Sequence, residues 1–186
     1  MKKVIENKEK AKSINFYVCC FFVYCVIGWI YEVFLEVVIY KWGFSNRGVL
    51  FGPYLPVYGF GALAFIFTVY RLIKEKSTKA KILLIPVAFI GCALIATIIE
   101  LVTSYLCEAI MGSWPWQTYV DYAINFEGRI ALSPSIRFGL GGAVFLYIIQ
   151  PILNKVFSNV KPKTLKYVAT TIVFVMVVDL ICTMII

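Results

Sequence analysis

Five long apolar runs, at roughly 15–40, 50–72, 82–107, 132–153 and 165–186, set the first constraint on this chain. A helix needs about 20 apolar residues to cross the hydrocarbon of a bilayer. In lipid its backbone amides and carbonyls must be satisfied within the segment itself. Each run is long enough. Of the 186 residues, 61% are hydrophobic and 15% charged, against about 25% charged in an average soluble domain. The expected fold class is therefore all-α, a polytopic membrane helix bundle of about five transmembrane helices, with residues 1–186 as a single transmembrane domain. No room remains for a nucleotide-binding, soluble catalytic or nucleic-acid-binding domain. The first run is too long for a signal peptide and lacks a small-x-small cleavage site, so it is expected to stay as an anchor.

Charge gives the orientation. Lys2, Lys3, Lys8, Lys10 and Lys12 precede the first run, Arg71, Lys74, Lys76, Lys79 and Lys81 fall between the second and third, and Lys155, Lys161, Lys163 and Lys166 between the fourth and fifth. These alternate connections hold 14 of the 18 basic residues. The positive-inside rule places them in the cytoplasm, with the N-terminus cytoplasmic and the C-terminus outside. The net charge of +8 is thus an orientation signal, and the partner it suggests is anionic membrane lipid, not nucleic acid.

Seven of the ten acids lie in the runs or on the expected outer side: Glu32, Glu36, Glu100, Glu108, Asp121, Glu127 and Asp179. Ionisable groups within a membrane are expensive and by default mark function. Glu32 and Glu36 share one helix face, and Thr97, Glu100, Ser104 and Glu108 share another. The two stripes point toward a common polar cavity; alternatively Glu36 and Glu108 sit at the outer interface, and Glu32 and Glu100 pair with arginine. Asp179 fits a packing role as well as a site role. With no histidine in the chain, Ser-His-Asp, Cys-His and zinc–histidine chemistry is excluded. No metal or other cofactor is expected. The six cysteines show no CxxC and read as small core residues, a redox role for Cys107 being the alternative.

Arg47 and Arg129 each stand ahead of a short apolar link, a proline (Pro53, Pro134) and an aromatic-Gly-x-Gly segment (Phe60 and Gly61 after Tyr58-Gly59; Phe138-Gly139-Leu140-Gly141). This suggests a weak repeat, 16–73 and 82–153, in parallel orientation. Proline suits the first turn of a helix, so free N-terminal amides near Arg47, Arg129 and Arg137 would form an anion-receiving arrangement, or the arginines would pair with the stripe glutamates. The second outer loop, about 109–131, carries Trp114, Trp116, Tyr119 and Tyr122, either an interfacial aromatic belt or a lid over the carboxylate–arginine cluster.

Gly28-Trp29 with Glu32, Asn46-Arg47-Gly48, Gly52-Pro53 and Pro56-Val57-Tyr58-Gly59-Phe60-Gly61 resemble the bacterial family called putative ABC-transporter type IV, or putative ABC transporter permease. Glu100, Ser104-Tyr105-Leu106, Glu108, Trp116, Tyr119, Asn125, Gly128-Arg129-Ile130 and Phe138-Gly139 agree with it. The resemblance covers roughly residues 16–150. Leu55, Ala131 and Phe138 depart from it, standing where members usually carry Cys, Cys and Trp. It implies a permease-like protein of the bacterial cytoplasmic membrane and adds Asn46, Tyr58 and Asn125 to the candidate site. It also implies a separate ATPase or other membrane subunit as partner, since the chain has no Walker A motif; a homo-oligomer is compatible. The two short lysine-rich cytoplasmic loops show no obvious coupling helix.

Three readings stand at this point. A transporter would bind a small or amphipathic solute through Glu32, Glu36, Arg47, Glu100, Ser104, Glu108, Arg129 and Arg137, with glutamate protonation as a driving step. A membrane-embedded enzyme would use Glu32 or Glu100 as base and the arginines as a phosphate clamp; without histidine or a nucleophile motif this is the weaker of the two. A non-catalytic subunit would bind lipid or another membrane protein.

Overall fold

The computed structural model describes residues 14–185; the five lysines ahead of the first span lie outside the described residues. Five helices are long and apolar enough to cross a membrane: Ile14–Ile39, Pro56–Ile73, Ile85–Met111, Leu132–Ser158 and Pro162–Ile185. The chain is a multi-pass membrane protein, and its all-α expectation holds apart from a two-residue-per-strand hairpin, Asn125–Phe126 with Ile130–Ala131. Most large side chains on the helix surfaces are apolar and exposed, Leu94, Ile98, Val102 and Leu106 among them. That is the surface a lipid solvent calls for.

The second apolar run begins near residue 50, but its helix starts at Pro56. Residues 50–55 instead form an irregular re-entry in which the Leu55 amide donates to the Cys25 carbonyl at 3.0 Å. Pro56, with no N–H to lose, occupies the first helical position. The same span is interrupted at Thr68, where the backbone departs to φ −108°, ψ −82°. Two spans contain a π turn, Leu35–Ile39 and Phe145–Ile149. The second ends just before Pro151, whose missing N–H and ring bulk are incompatible with the preceding α-helical turn. Each π turn borders or contains a buried polar side chain, Glu36 in the first and Gln150 directly after the second.

The described chain divides into two compact units, one running up to Gly59 and resuming at Leu153, the other Phe60–Ile152. In the first, the opening span packs against the fifth and buries Cys19, Cys20, Tyr24, Cys25 and Gly28. Leu50 and Tyr54 complete a core with Cys25, with Phe22 and Met176 against it. Gly28 is required there: a Cβ at this position would meet the Cβ of Tyr58 at 2.6 Å. The fifth span buries little, only Leu165 and Ala169.

In the second unit the third span packs along Leu132–Val144. Its buried face steps in fours, Ala88, Cys92, Ala96, Glu100 and Ser104, the i, i+4 row of a helix. The small residues let Phe65, Val69, Ile73 and Leu146 close the core, as small residues do wherever helices approach closely in membranes. Farther along the same row the face becomes polar. Among the described residues no disulfide forms, and four of the six cysteines are buried.

Candidate functional site

Each unit builds its own carboxylate–arginine centre. In the first, the π turn at Leu35–Ile39 closes with the Tyr40 amide on the Leu35 carbonyl at 2.8 Å. A π turn carries one extra residue and recurs at functional positions. Glu36, within it, is buried at 6% exposure. The chain doubles back to satisfy it. Ser45 donates its hydroxyl to Glu36 Oε1 at 2.6 Å and its amide to Oε2 at 3.3 Å, and Arg47 Nη1 lies 3.6 Å from Oε1.

Glu32, one turn earlier, accepts the Tyr58 hydroxyl. The phenol reaches it because its ring rests on Gly28. Asn46 organises the turn: its amide donates to the Leu50 and Phe51 carbonyls at 3.1 and 3.0 Å, and its oxygen accepts the Trp29 indole N–H at 2.8 Å.

Two amides ahead of span two, those of Phe51 and Gly52, are engaged by a carboxylate. Asp179 on the fifth span already holds them. Its carboxylate accepts from the Phe51 amide at 3.0 Å, the Gly52 amide at 2.9 Å and the Tyr54 hydroxyl. Burial first, and then the neighbouring Asp179 charge, push the Tyr54 phenol well above its ordinary value of 10.0. Both effects favour the neutral phenol.

In the second unit Arg129 is the centre. Its Nη2 contacts Glu108 Oε2 at 2.5 Å, Nη1 lies 3.5 Å from Ser104 Oγ, and Nε lies 3.5 Å from Glu127 Oε2 without hydrogen-bond geometry. The guanidinium is also covered by two rings, Tyr105 at 4.0 Å and Trp114 at 4.2 Å from ring centroid to Cζ. Such faces attract a cation through the ring quadrupole. Trp114 and Trp116 donate their indole N–H groups to the Gly128 and Arg129 carbonyls at 3.2 and 2.8 Å. Glu100, one helix turn below Ser104, accepts the Tyr119 hydroxyl at 2.9 Å.

A three-residue hairpin connection between the paired Phe126 and Ile130 delivers Arg129. Glu127 and Gly128 both have positive φ, 54° and 63°, the combination a type I′ turn demands. The Arg129 amide closes it on the Phe126 carbonyl at 3.0 Å. Asn125 braces the turn, accepting the Gly128 amide at 3.0 Å and donating to the Tyr122 carbonyl at 2.8 Å. Arg137 stands apart from this cluster, donating to the Tyr122 hydroxyl at 2.7 Å.

The first unit thus brings together Glu36 with Arg47, Glu32 with Tyr58, and Asn46 with its own turn. The second gathers Ser104, Glu108 and Arg129, gives Glu100 a tyrosine, and assigns Asn125 to a turn. Sequence reasoning left out Ser45, Tyr54, Tyr105, Trp114, Tyr119, Glu127 and Asp179 as partners. The loop aromatics were visible as a group, but nothing in the local sequence pointed from Asp179 to residues 51–54.

A model of the family described as Putative ABC-transporter type IV matches residues 19–184. The match takes in the fifth span, which the motif resemblance over 16–150 left out. No curated protein and no solved structure matches the chain.

Proposed function

The chain belongs to the putative ABC-transporter type IV family, and from that premise we propose that it is a permease-like membrane component that binds and passes a small or amphipathic solute through its Glu/Arg centres. A separate ATPase subunit is the partner this reading calls for. The site residues are Glu32, Glu36, Arg47 and Tyr58 in one unit and Glu100, Ser104, Glu108, Arg129 and Arg137 in the other, with Asn46 and Asn125 holding the turns that present the arginines. The setting is the bacterial cytoplasmic membrane, N-terminus inside and C-terminus outside. The repeat 16–73 and 82–153 belongs to the same proposal: each half carries an acid on its first helix and the matching arginine in the loop that follows.

One observation carries the reading. In each ion pair one partner is buried and the other is open to exchange: Glu36 against Arg47 at 8% and 36% side-chain exposure, Arg129 against Glu108 at 9% and 43%. A charge that is neutralised when the site is empty, yet reachable from one side, can trade its internal partner for a charged group on a solute. Solute uptake into proteoliposomes, with and without a pH gradient, tests this. Arg47→Ala, Glu32→Gln and Glu100→Gln should each reduce uptake at least about tenfold, the effect of about 1.4 kcal/mol. Unchanged uptake in all three would remove the carboxylate–arginine centres from the mechanism.

A further inference from the structure

Beside the Asp179 latch lies a groove of about 450 Å³, walled by Phe51, Pro53, Tyr54, Phe174, Val175 and Val178 with Asp179 at its polar end. Neither Glu/Arg centre includes any of these residues. Phe51 and Phe174 are well exposed, so the walls are apolar and open to the bilayer.

The polar end carries an unbalanced charge. Asp179 accepts from the Phe51 and Gly52 amides and the Tyr54 hydroxyl, and the Thr183 hydroxyl also interacts with its carboxylate, but among the described residues no lysine or arginine forms an ion pair with it. It sits six residues before the end of its helix at Ile185, about 9 Å along the axis. These donors are neutral, so they orient the carboxylate without cancelling its charge.

We propose that this groove binds a lipophilic primary amine, its ammonium head pairing with the Asp179 carboxylate and its hydrocarbon chain lying along Phe174, Val175 and Val178. Charge complementarity selects the head and the apolar walls select the tail. An anionic amphiphile is repelled by the same carboxylate, and a neutral one has nothing to cancel it. A charge-assisted hydrogen bond to a carboxylate is among the stronger contacts available to such a ligand.

The test uses the full chain in detergent with Phe174→Trp as a reporter in the groove and 11-bromoundecylammonium or 11-bromoundecanol as quencher. The ammonium should half-saturate quenching at a concentration at least about tenfold lower than the alcohol, equivalent to about 1.4 kcal/mol. That preference should vanish with Asp179→Asn, whose amide oxygen can still accept from the Phe51 and Gly52 amides. Val178→Phe leaves Asp179 untouched and narrows the groove, so it should weaken quenching by the ammonium several-fold with no change in melting temperature. Equal half-saturation by the two quenchers, a preference that survives Asp179→Asn, or indifference to Val178→Phe would each overturn the proposal.

Discussion

Replacing Glu108 should destabilise the protein more than replacing its partner Arg129, and replacing both should destabilise it less than replacing Glu108 alone. The inequality follows from where water can reach. Arg129 is 9% exposed at its side chain, whereas Glu108 and Glu127 are 43% and 55% exposed. Glu108→Gln therefore leaves a buried guanidinium facing Glu127 at 3.5 Å without a hydrogen bond. Leaving a buried charge without its partner in this way costs about 3–5 kcal/mol; the remaining Glu127 charge holds the figure to about 3 kcal/mol. Arg129→Met leaves only carboxylates that water can solvate. It forfeits an ion pair of the partly exposed kind, at most about 1 kcal/mol, and two ring contacts of about 0.5–1 kcal/mol each. Methionine keeps much of the apolar packing of the arginine stem, so about 2 kcal/mol is expected. The double variant has no buried charge and should also lose about 2 kcal/mol, a coupling of about 3 kcal/mol between the two sites. Unfolding by SDS titration in mixed micelles, followed by tryptophan fluorescence, measures all three. Trp114 lies 4.2 Å from the guanidinium carbon, so its emission reports on the site directly. A double variant destabilised by about 5 kcal/mol, the plain sum of the two single effects, would refute the reasoning.

Gly28→Ala should lower stability by about 1–3 kcal/mol, the range for overpacking, because the new Cβ lands on Tyr58; adding Tyr58→Ala should recover most of the melting temperature. Tyr54 predicts an alkaline effect. Its folded phenol is raised above 10.0, so its contribution is fully present below about pH 10 and declines as pH climbs from there toward the folded value. Tyr54→Phe should lack that decline in denaturation curves taken on either side of pH 10, and spectrophotometric titration should lose one tyrosine that ionises above pH 10. For the proposed orientation, a cysteine replacing Gln117 should react with an impermeant maleimide in intact cells, and one replacing Ser77 only after permeabilisation, in a background lacking Cys107 and Cys182. Labelling of both from outside would reject the orientation.

The spans were legible because a bilayer crossing demands a long unbroken apolar run, and nothing else in a sequence looks like that. The carboxylate stripes were legible for a similar reason, since Glu32 with Glu36, and Glu100 with Ser104 and Glu108, follow helical spacing. That arginines would meet the stripe glutamates could be anticipated, but not which ones. Sequence reasoning places them beside the deeper Glu32 and Glu100, which instead accept the Tyr58 and Tyr119 hydroxyls, while Arg47 and Arg129 pair with Glu36 and Glu108. The partners that were missed depend on backbone detail that composition does not encode. Ser45 reaches Glu36 only because the helix ends in a π turn and the chain then folds back. Trp114 lies on Arg129 only because the type I′ turn at Glu127–Gly128 sets the direction of the hairpin. Asp179 is the extreme case: its partners lie more than 120 residues away in sequence, and two of the three are backbone amides, which carry no residue-type signal at all.

The two centres use the same residue pair with opposite burial, and that inversion separates their roles. At Glu36 the acid is enclosed and Arg47 is the accessible group. At Arg129 the base is enclosed, ringed by Tyr105 and Trp114, and Glu108 is the accessible group. An enclosed charge is held by its hydrogen bonds and moves little, because leaving it unpaired is costly. The exposed partner can swing into water at small expense. Under the proposed function the first centre therefore meets anionic groups through Arg47 and the second, taken by itself, meets cationic groups through Glu108. Arg47→Ala should then weaken uptake of anionic solutes while sparing cationic ones, and Glu108→Gln should do the reverse. Equal losses for both solute classes in both variants would mean that burial does not decide which member of each pair faces the solute.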